Sequence, residues 1–429
     1  MKRLSEAPAR QTRDEDLIMP EKKLPEGPLA GVRILDFTRF QAGPAGSMHL
    51  ADLGAEVFKI ENTRTGDLGR YYPTPNCSAS AYFQALNRNK RSLSVDFRRP
   101  EGKEIILRLA RSCDIAMENF RPGIMESIGL GYEGLKEANP AIIYLHVSGF
   151  GRSGPRSGRP CFDLVAQAMS GLMSVTGETN GSALPAGATV ADQATALYGT
   201  IGILSALVHR MKTGEGQELD VSMLGSTMAL QTWEMTTYLM GDRIPSRVGP
   251  GKNMEGDVWR RFDTSDGALV IAGVFNMTAD GETRWDALCR VLGLDDLAGN
   301  AMYDSPMTRA GREEEFIPRM ATAFRKHTTK EWLDLLEAAD LIAGPVYDYA
   351  EALNDPQVVE SGLVQAFDHP DAGRLRAVGT PIHLSKTPAM IRERAPELGE
   401  HTTEVLASVG YTTEEIEKLR KLNVIRDHA

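Results

Sequence analysis

Residues 32–61 read VRILDFTRFQAGPAGSMHLADLGAEVFKIE. The apolar run at 32–37 has the length and composition of a short buried strand. TRFQAGPAG follows as a turn, and residues 47–53 form a helix that Gly54 stops from a C′ position. Residues 56–60 are a second strand. Strand, helix and strand at this spacing make a βαβ unit. The pattern recurs outward, with helical periodicity over 101–112 and strands at 114–117 and 141–147. Such alternation predicts an α/β fold: a doubly wound, mostly parallel, Rossmann-like sheet with helices on both faces and right-handed crossovers.

Beyond this unit the sequence predicts helices over 163–175 and 192–211, a strand at ELDVSM (218–223) and a helix over 224–239. GDRIPSRVGPGKNMEG (241–256), with its prolines, glycines and charges, reads as a linker. RFDTSDGALVIAG then predicts a hairpin turning at Asp266–Gly267, and helices over 285–292 and 330–338 complete a smaller α/β region. The expected organisation is a flexible arm over 1–26, the first part of a large α/β domain over 27–240, the linker, a small α/β domain over 257–364, and a return to the large domain over 365–429 ending in a charged surface helix at 412–419.

Of the 429 residues, 42% are hydrophobic and 25% charged, an ordinary globular composition long enough for a sizeable core. The formal net charge of -10 argues against nucleic acid or an anionic membrane as partner. No run of about 20 apolar residues predicts a membrane span, and the first 26 residues lack the apolar run of a signal peptide. The four cysteines (Cys77, Cys113, Cys161, Cys289) stand singly, so neither a zinc site nor a disulfide framework is indicated. Reduced thiols and a cytoplasmic location are the expectation.

Several residues have two readings. Glu61 follows the second strand where a dinucleotide ribose would meet an acid, but QAGPAG is not GxGxxG, and Pro44 removes a donor that a pyrophosphate would want. Asp192 opens a long apolar helix, as a cap or as a carboxylate nucleophile that needs no separate base. Asp163 also begins a helix and reads as a cap. Gln41 lies in a loop after a strand, either solvated or facing a binding crevice. Asn89–Lys90–Arg91 and Arg98–Arg99 flank a strand, as a solvated edge or as phosphate partners. His49 and His146 read as core residues and His401 as a helix start. No metal pattern and no GxSxG elbow is present.

GPLAGVRILDFTRFQAGPAGSMHLADLGAEVFKIE (27–61), GDLGR (66–70), NRNKRSLSVD (87–96), ENFRPG (118–123), SGFGRSGP, FDLVAQAMSGLMSVTG, KTGEGQELDVSM, AGPVYD, GTPIHLS and LGEHTTEVL occur in unbroken order. Together they resemble the family III CoA-transferases, the CaiB/BaiF group that includes formyl-CoA transferase and carnitine CoA-transferase. The resemblance implies CoA exchange between an acyl-CoA, with succinyl-CoA a reasonable donor, and a short carboxylic acid, through an aspartyl mixed anhydride and an aspartyl-CoA thioester. It maps the nucleophile onto Asp192, a second acidic position onto Asp163 and a carboxyl-holding glutamine onto Gln41. It assigns CoA contacts to Val95, Arg98, Asn119, Phe120, Arg121 and Met125. It further implies an interlocked homodimer and CoA as substrate, with no permanently bound cofactor and no metal. Arg39, Arg121 and Arg260 are candidate partners for substrate carboxylates.

The sequence departs from the formyl-CoA branch at Ser127, where a basic residue meets the CoA phosphates, and at a glycine run to which only Gly249, Gly251 and Gly256 correspond. Racemases and isomerases of the same fold are the alternative class. They carry a histidine where this chain has Phe162, which supplies no proton.

Overall fold

The computed structural model describes residues 27–251 and 256–428; the proposed arm over 1–26 and part of the linker lie outside them. The first unit runs β1 (Arg33–Asp36), α1 (Ala42–Asp52), β2 (Glu56–Glu61), α2 (Ala81–Asn87), β3 (Lys90–Val95), α3 (Pro100–Ala110), β4 (Ile115–Glu118), α4 (Ile124–Ser127), α5 (Tyr132–Ala138) and β5 (Ile143–Ser148). A long crossover carries α6 (Asp163–Met169), α7 (Leu172–Val175) and α8 (Val190–Thr213) to β6 (Glu218–Ser222), followed by α9 (Met223–Ala229) and α10 (Thr232–Gly241).

The seven strands lie in the order β12-β3-β2-β1-β4-β5-β6. All pairs are parallel except the last strand, β12 (Ile425–Arg426), which runs antiparallel to β3. This doubly wound sheet is what the alternating pattern predicts. Successive side chains point to opposite faces. Leu35, Ala116 and Tyr144 pack with Ile105, Leu109 and Leu135 of α3 and α5 on one face. Ile34, Ile115 and Ile143 pack with Leu50 of α1 and Ile203 and Leu207 of α8 on the other.

A second core belongs to the three-stranded antiparallel sheet of β7 (Arg260–Asp263), β8 (Ala268–Ile271) and β9 (Ala343–Pro345). The β7–β8 hairpin turns at 264–267, as DG predicts. Its helices are α11 (Arg284–Val291), α12 (Pro306–Arg309), α13 (Glu313–Phe324) and α14 (Thr329–Ala338). Trp285, Phe316, Phe324 and Trp332 fill the space between them.

After α15 (Tyr349–Asn354) and α16 (Pro356–Glu360), residues from 364 form their own hairpin, β10 (Val364–His369) with β11 (Gly373–Val378). The Arg88 guanidinium ties it to the end of α2 through the Val378 carbonyl at 2.9 Å. The chain rejoins the large sheet where Met390 N–H donates to Asp52 O. There α17 (Thr402–Ser408) and α18 (Thr413–Lys421) add Val405, Leu406, Ile416 and Leu419 to the first core. The charged terminal helix is thus surface on one side only.

Two helix starts differ from expectation. The first helix begins at Ala42, five residues before Ser47, so the QAGP turn is the helix's first turn. Pro44 sits where no intrahelical donor is required, and proline is tolerated there. The long helix α8 begins at Val190, which puts Asp192 inside its first turn and makes Thr189 the cap position. Among the described residues no helix is long and apolar enough to cross a membrane.

Candidate active site

Strand order reverses between β1 and β4, the place where open α/β sheets gather ligands. The loops leaving these strands border a cleft of about 490 Å³. Asn119 joins the loops: its side chain accepts from Arg39 N–H at 2.9 Å and donates to Arg39 O at 2.7 Å. The Arg39 guanidinium lies 4.6 Å from the Phe120 ring centre. Glu118, which ends β4, accepts Phe120 N–H at 2.6 Å and fixes that turn. A second cleft of about 420 Å³ reaches Val95, Asn62 and Arg64 and shares the walls Arg39, Arg98 and Phe120 with the first.

Asp192 lines the larger cleft. The competition between cap and nucleophile is resolved by a different residue. Asp163 Oδ1 accepts the N–H groups of Ala191 at 2.8 Å and Asp192 at 3.2 Å, while its Oδ2 accepts Gln167 Nε2 at 2.6 Å. Asp163, the first residue of α6, therefore caps α8 from 28 residues away. The Asp192 carboxyl is left out of the cap, and the Ala42 N–H at the start of α1 is the backbone donor that favours its charged form. Burial, with the charge of Asp163 beside it, pushes the Asp192 carboxyl up to about 7, against the pull of that N–H. A carboxyl raised this far is only partly ionised near neutral pH, which its sequence position does not reveal.

Gln41 donates through Nε2 to the Thr189 hydroxyl, linking the starts of α1 and α8. The Thr38 turn requires a glycine at position 43, whereas position 46 faces α8 at ordinary contact distance. A Cβ on Gly43 would lie 2.4 Å from Thr38 Cβ, and one on Gly46 would reach Ala196 O at 3.4 Å. Phe40, with φ of 63°, meets Phe162 edge to face at 6.1 Å over the cleft. Cys161 also lines it, but burial and the nearby Asp192 push its thiol up to about 11. The thiol is therefore protonated at neutral pH and does not compete as a nucleophile.

Beneath the loop lies a buried charge network with little trace in the sequence. Lys90 Nζ donates to Asp36 at 3.0 Å, Ser47 at 2.8 Å, Asn87 at 3.0 Å and Pro44 O at 3.0 Å. Lys59 Nζ donates to Asp67 at 2.9 Å and Thr38 O at 3.1 Å. Asp36, Lys59 and Lys90 are fully buried. Burial is the largest influence on Lys90 and pulls it down to about 8, with Asp36 opposing.

These contacts remove several expected partners from substrate. Lys90 is consumed in the network. Asn89 bonds Asp52 at 2.7 Å and Met390 O at 2.9 Å, and Arg91 pairs with Glu404 at 2.6 Å. Glu61 is tied to Arg70 at 2.7 Å and to Ser92 at 2.7 Å, which answers the dinucleotide reading. Met125 is 1% exposed within the first core, below the cleft wall that its neighbour Ile124 forms. Arg260 begins β7 and lines neither cleft, and Ser127 spends its hydroxyl on Ile124 O at 2.7 Å. Gly251 borders a separate small pocket with Trp233 and Val248.

His146 is buried between Glu118 at 2.6 Å and Glu218 at 2.7 Å. His401 stands at the start of α17 and accepts Ser92 N–H at 3.3 Å. His49 Nε2 is buried without a partner among the described residues. The cleft also includes Arg159, which no sequence motif singled out.

The comparisons agree with this architecture. Residues 29–402 match the family described as CoA-transferase family III. The human protein named succinyl-CoA:glutarate CoA-transferase is 36% identical over 405 residues, covering 94% of this chain and 90% of its own. Haloarcula marismortui succinyl-CoA:mesaconate CoA-transferase is 36% identical over 397 residues, covering 90% and 98%. The crystal structure of a CaiB/BaiF family protein from Brucella suis superposes with a TM-score of 0.78 at 30% identity, covering 90% of this chain and all of that one. With the doubly wound sheet and the Asp192 cleft already described, these matches have one meaning: the chain belongs to CoA-transferase family III.

Proposed function

We propose that this chain transfers CoA from succinyl-CoA to a dicarboxylic acid through covalent intermediates on Asp192. The observation that carries the reading is the division of labour at the start of α8: Asp163 satisfies the helix end, and the Asp192 carboxyl faces the cleft with the Ala42 N–H beside it. The acids named for the human and Haloarcula relatives, succinate, glutarate and mesaconate, are all dicarboxylic.

In the first step an Asp192 oxygen attacks the thioester carbonyl, the C–S bond breaks, and CoA thiolate leaves with the electron pair. The resulting mixed anhydride is attacked by that thiolate at Asp192 Cγ, which releases the donor acid as carboxylate and leaves an aspartyl-CoA thioester. The acceptor carboxylate then attacks Cγ, and the expelled thiolate takes the acyl group from the new anhydride, restoring Asp192. Atoms and charge balance without an added base or cofactor. CoA is a substrate, its nucleotide end along Val95 and Arg98 and its pantetheine arm passing Asn119, Phe120 and Arg121. Gln41 holds the reacting carboxyl groups. Backbone donors such as Ala42 N–H stabilise the oxyanions, worth about 3 kcal/mol each in comparable sites, and the Phe40–Phe162 pair keeps water from the anhydride. Phe162 offers no proton for α-carbon racemisation.

The protein works as a homodimer, a reading supported by the apolar side chains that α8 and α10 leave exposed. Asp192→Asn should abolish exchange while CoA still binds, and hydroxylamine added during turnover should label the Asp192 peptide in the wild-type protein. Exchange at more than a few per cent in the variant would refute the nucleophile.

A further inference from the structure

We infer that Arg159 is the specificity residue that pairs with the distal carboxylate of the substrate acid. This rests on the dicarboxylate reading above and assigns it a partner. Four arginines line the Asp192 cleft: Arg39, Arg98, Arg121 and Arg159. Arg39 and Arg98 also wall the neighbouring cleft, and Arg39 is stacked on Phe120. Arg121 follows Phe120 on the turn after β4. Arg159 alone lies on the segment that continues through Cys161 and Phe162 to Asp163, the side of the cleft where Asp192 stands. Its only hydrogen bond among the described residues is from its backbone N–H to Arg156 O, so its guanidinium has no carboxylate partner there.

Charge gives the reason for such a group. An incoming dicarboxylate bears two negative charges and must approach Asp192 with Asp163 beside it. One carboxylate is consumed in bonding to Asp192 Cγ or to the acyl carbon. The other reaches no bond in the reaction and, against the walls formed by Phe40, Val147, Phe162 and Met223, would lose hydration without compensation. A guanidinium offers a bidentate match to a carboxylate. Donor and acceptor acids occupy this place in turn, so one arginine serves both half-reactions.

The test compares Arg159→Met and Arg159→Lys with the wild type in two pairings, succinyl-CoA with glutarate and butyryl-CoA with valerate, and measures CoA affinity by calorimetry. For Arg159→Met the expected result is a loss in kcat/KM on the order of tenfold to a hundredfold for the first pairing, carried mainly by KM. The second pairing and CoA affinity should stay within about threefold, the size of an effect without a lost charged contact, and Arg159→Lys should recover part of the loss. An unchanged glutarate reaction, or equal losses in both pairings, or weakened CoA binding overturns the assignment. A wild type that transfers to valerate but not to glutarate would instead overturn the dicarboxylate reading, and the Arg159 assignment with it.

Discussion

The raised pKa of Asp192 makes the chemistry testable by pH. The proposed nucleophile would attack as the carboxylate, so the rate of the first half-reaction should rise through an apparent pKa near 7 and level off above it. Asp163→Asn separates the two influences on that value. The amide oxygen can still accept from Ala191 and Asp192, whereas the negative charge that raises Asp192 is gone, so the midpoint should move to lower pH. Rapid-quench rates from pH 5 to 9 would read this, and an unmoved or upward midpoint contradicts it. Stability follows with a definite sign. A carboxyl raised from 3.8 to about 7 contributes fully below pH 3.8, and that contribution is lost as pH rises through 7. Asp192→Asn should therefore gain on the wild type by up to about 2 kcal/mol at pH 8 after allowance for partial solvent screening, and by less at pH 5. Asp192 was legible in the sequence as a carboxylate at a helix start. Its freedom was not, because the residue that relieves it of capping stands 29 positions away.

At the level of elements, strands were legible where apolar runs end in glycine turns. Helix starts were not legible where polar or proline residues stood inside the first turn. The QAGPAG segment looks like a loop because Pro44 and two glycines suggest a break; its helical state depends on α8 packing against it and on Lys90 gripping the Pro44 carbonyl. The sequence presents Lys90 as part of a solvated edge or a phosphate site, since its partner Asp36 belongs to another strand. The two glycines of AGPAG should respond oppositely to alanine. Gly43→Ala drives a methyl into Thr38, whose hydroxyl and carbonyl bond Asp36 and Lys59. It should cost about 1–3 kcal/mol and most of the activity as Ala42 N–H shifts. Gly46→Ala meets Ala196 O at ordinary contact distance, and should be neutral or stabilising through better helix propensity. Thermal melts and kcat of the pair check this; a destabilised Gly46→Ala or a fully active Gly43→Ala contradicts the packing argument.

For the whole molecule, the question is what covers α8. Its inner face buries Ala194, Gly199, Ile203 and Leu207, and its outer face carries Leu197, Ile201, Val208 and Met211, from 50% to 84% exposed. A helix apolar on both sides is normally buried, and monomers rarely expose large apolar patches. On α10, Leu239 and Met240 add 76% and 84% exposure. At roughly 25 cal/mol per Å² of apolar surface removed from water, covering these faces is a substantial driving force for association. The sequence gives α8 an unbroken apolar character without telling which side the core takes and which side a second copy takes. Light scattering after size exclusion should give twice the 46.9 kDa of the chain. Replacing Leu239 and Met240 together by glutamate should shift the mass toward one chain and lower activity on dilution, because Asp192 stands on the helix that the partner would cover. A wild-type mass of one chain would remove the dimer, and a monomeric variant with undiminished turnover would show that the Asp192 site is complete within a single chain.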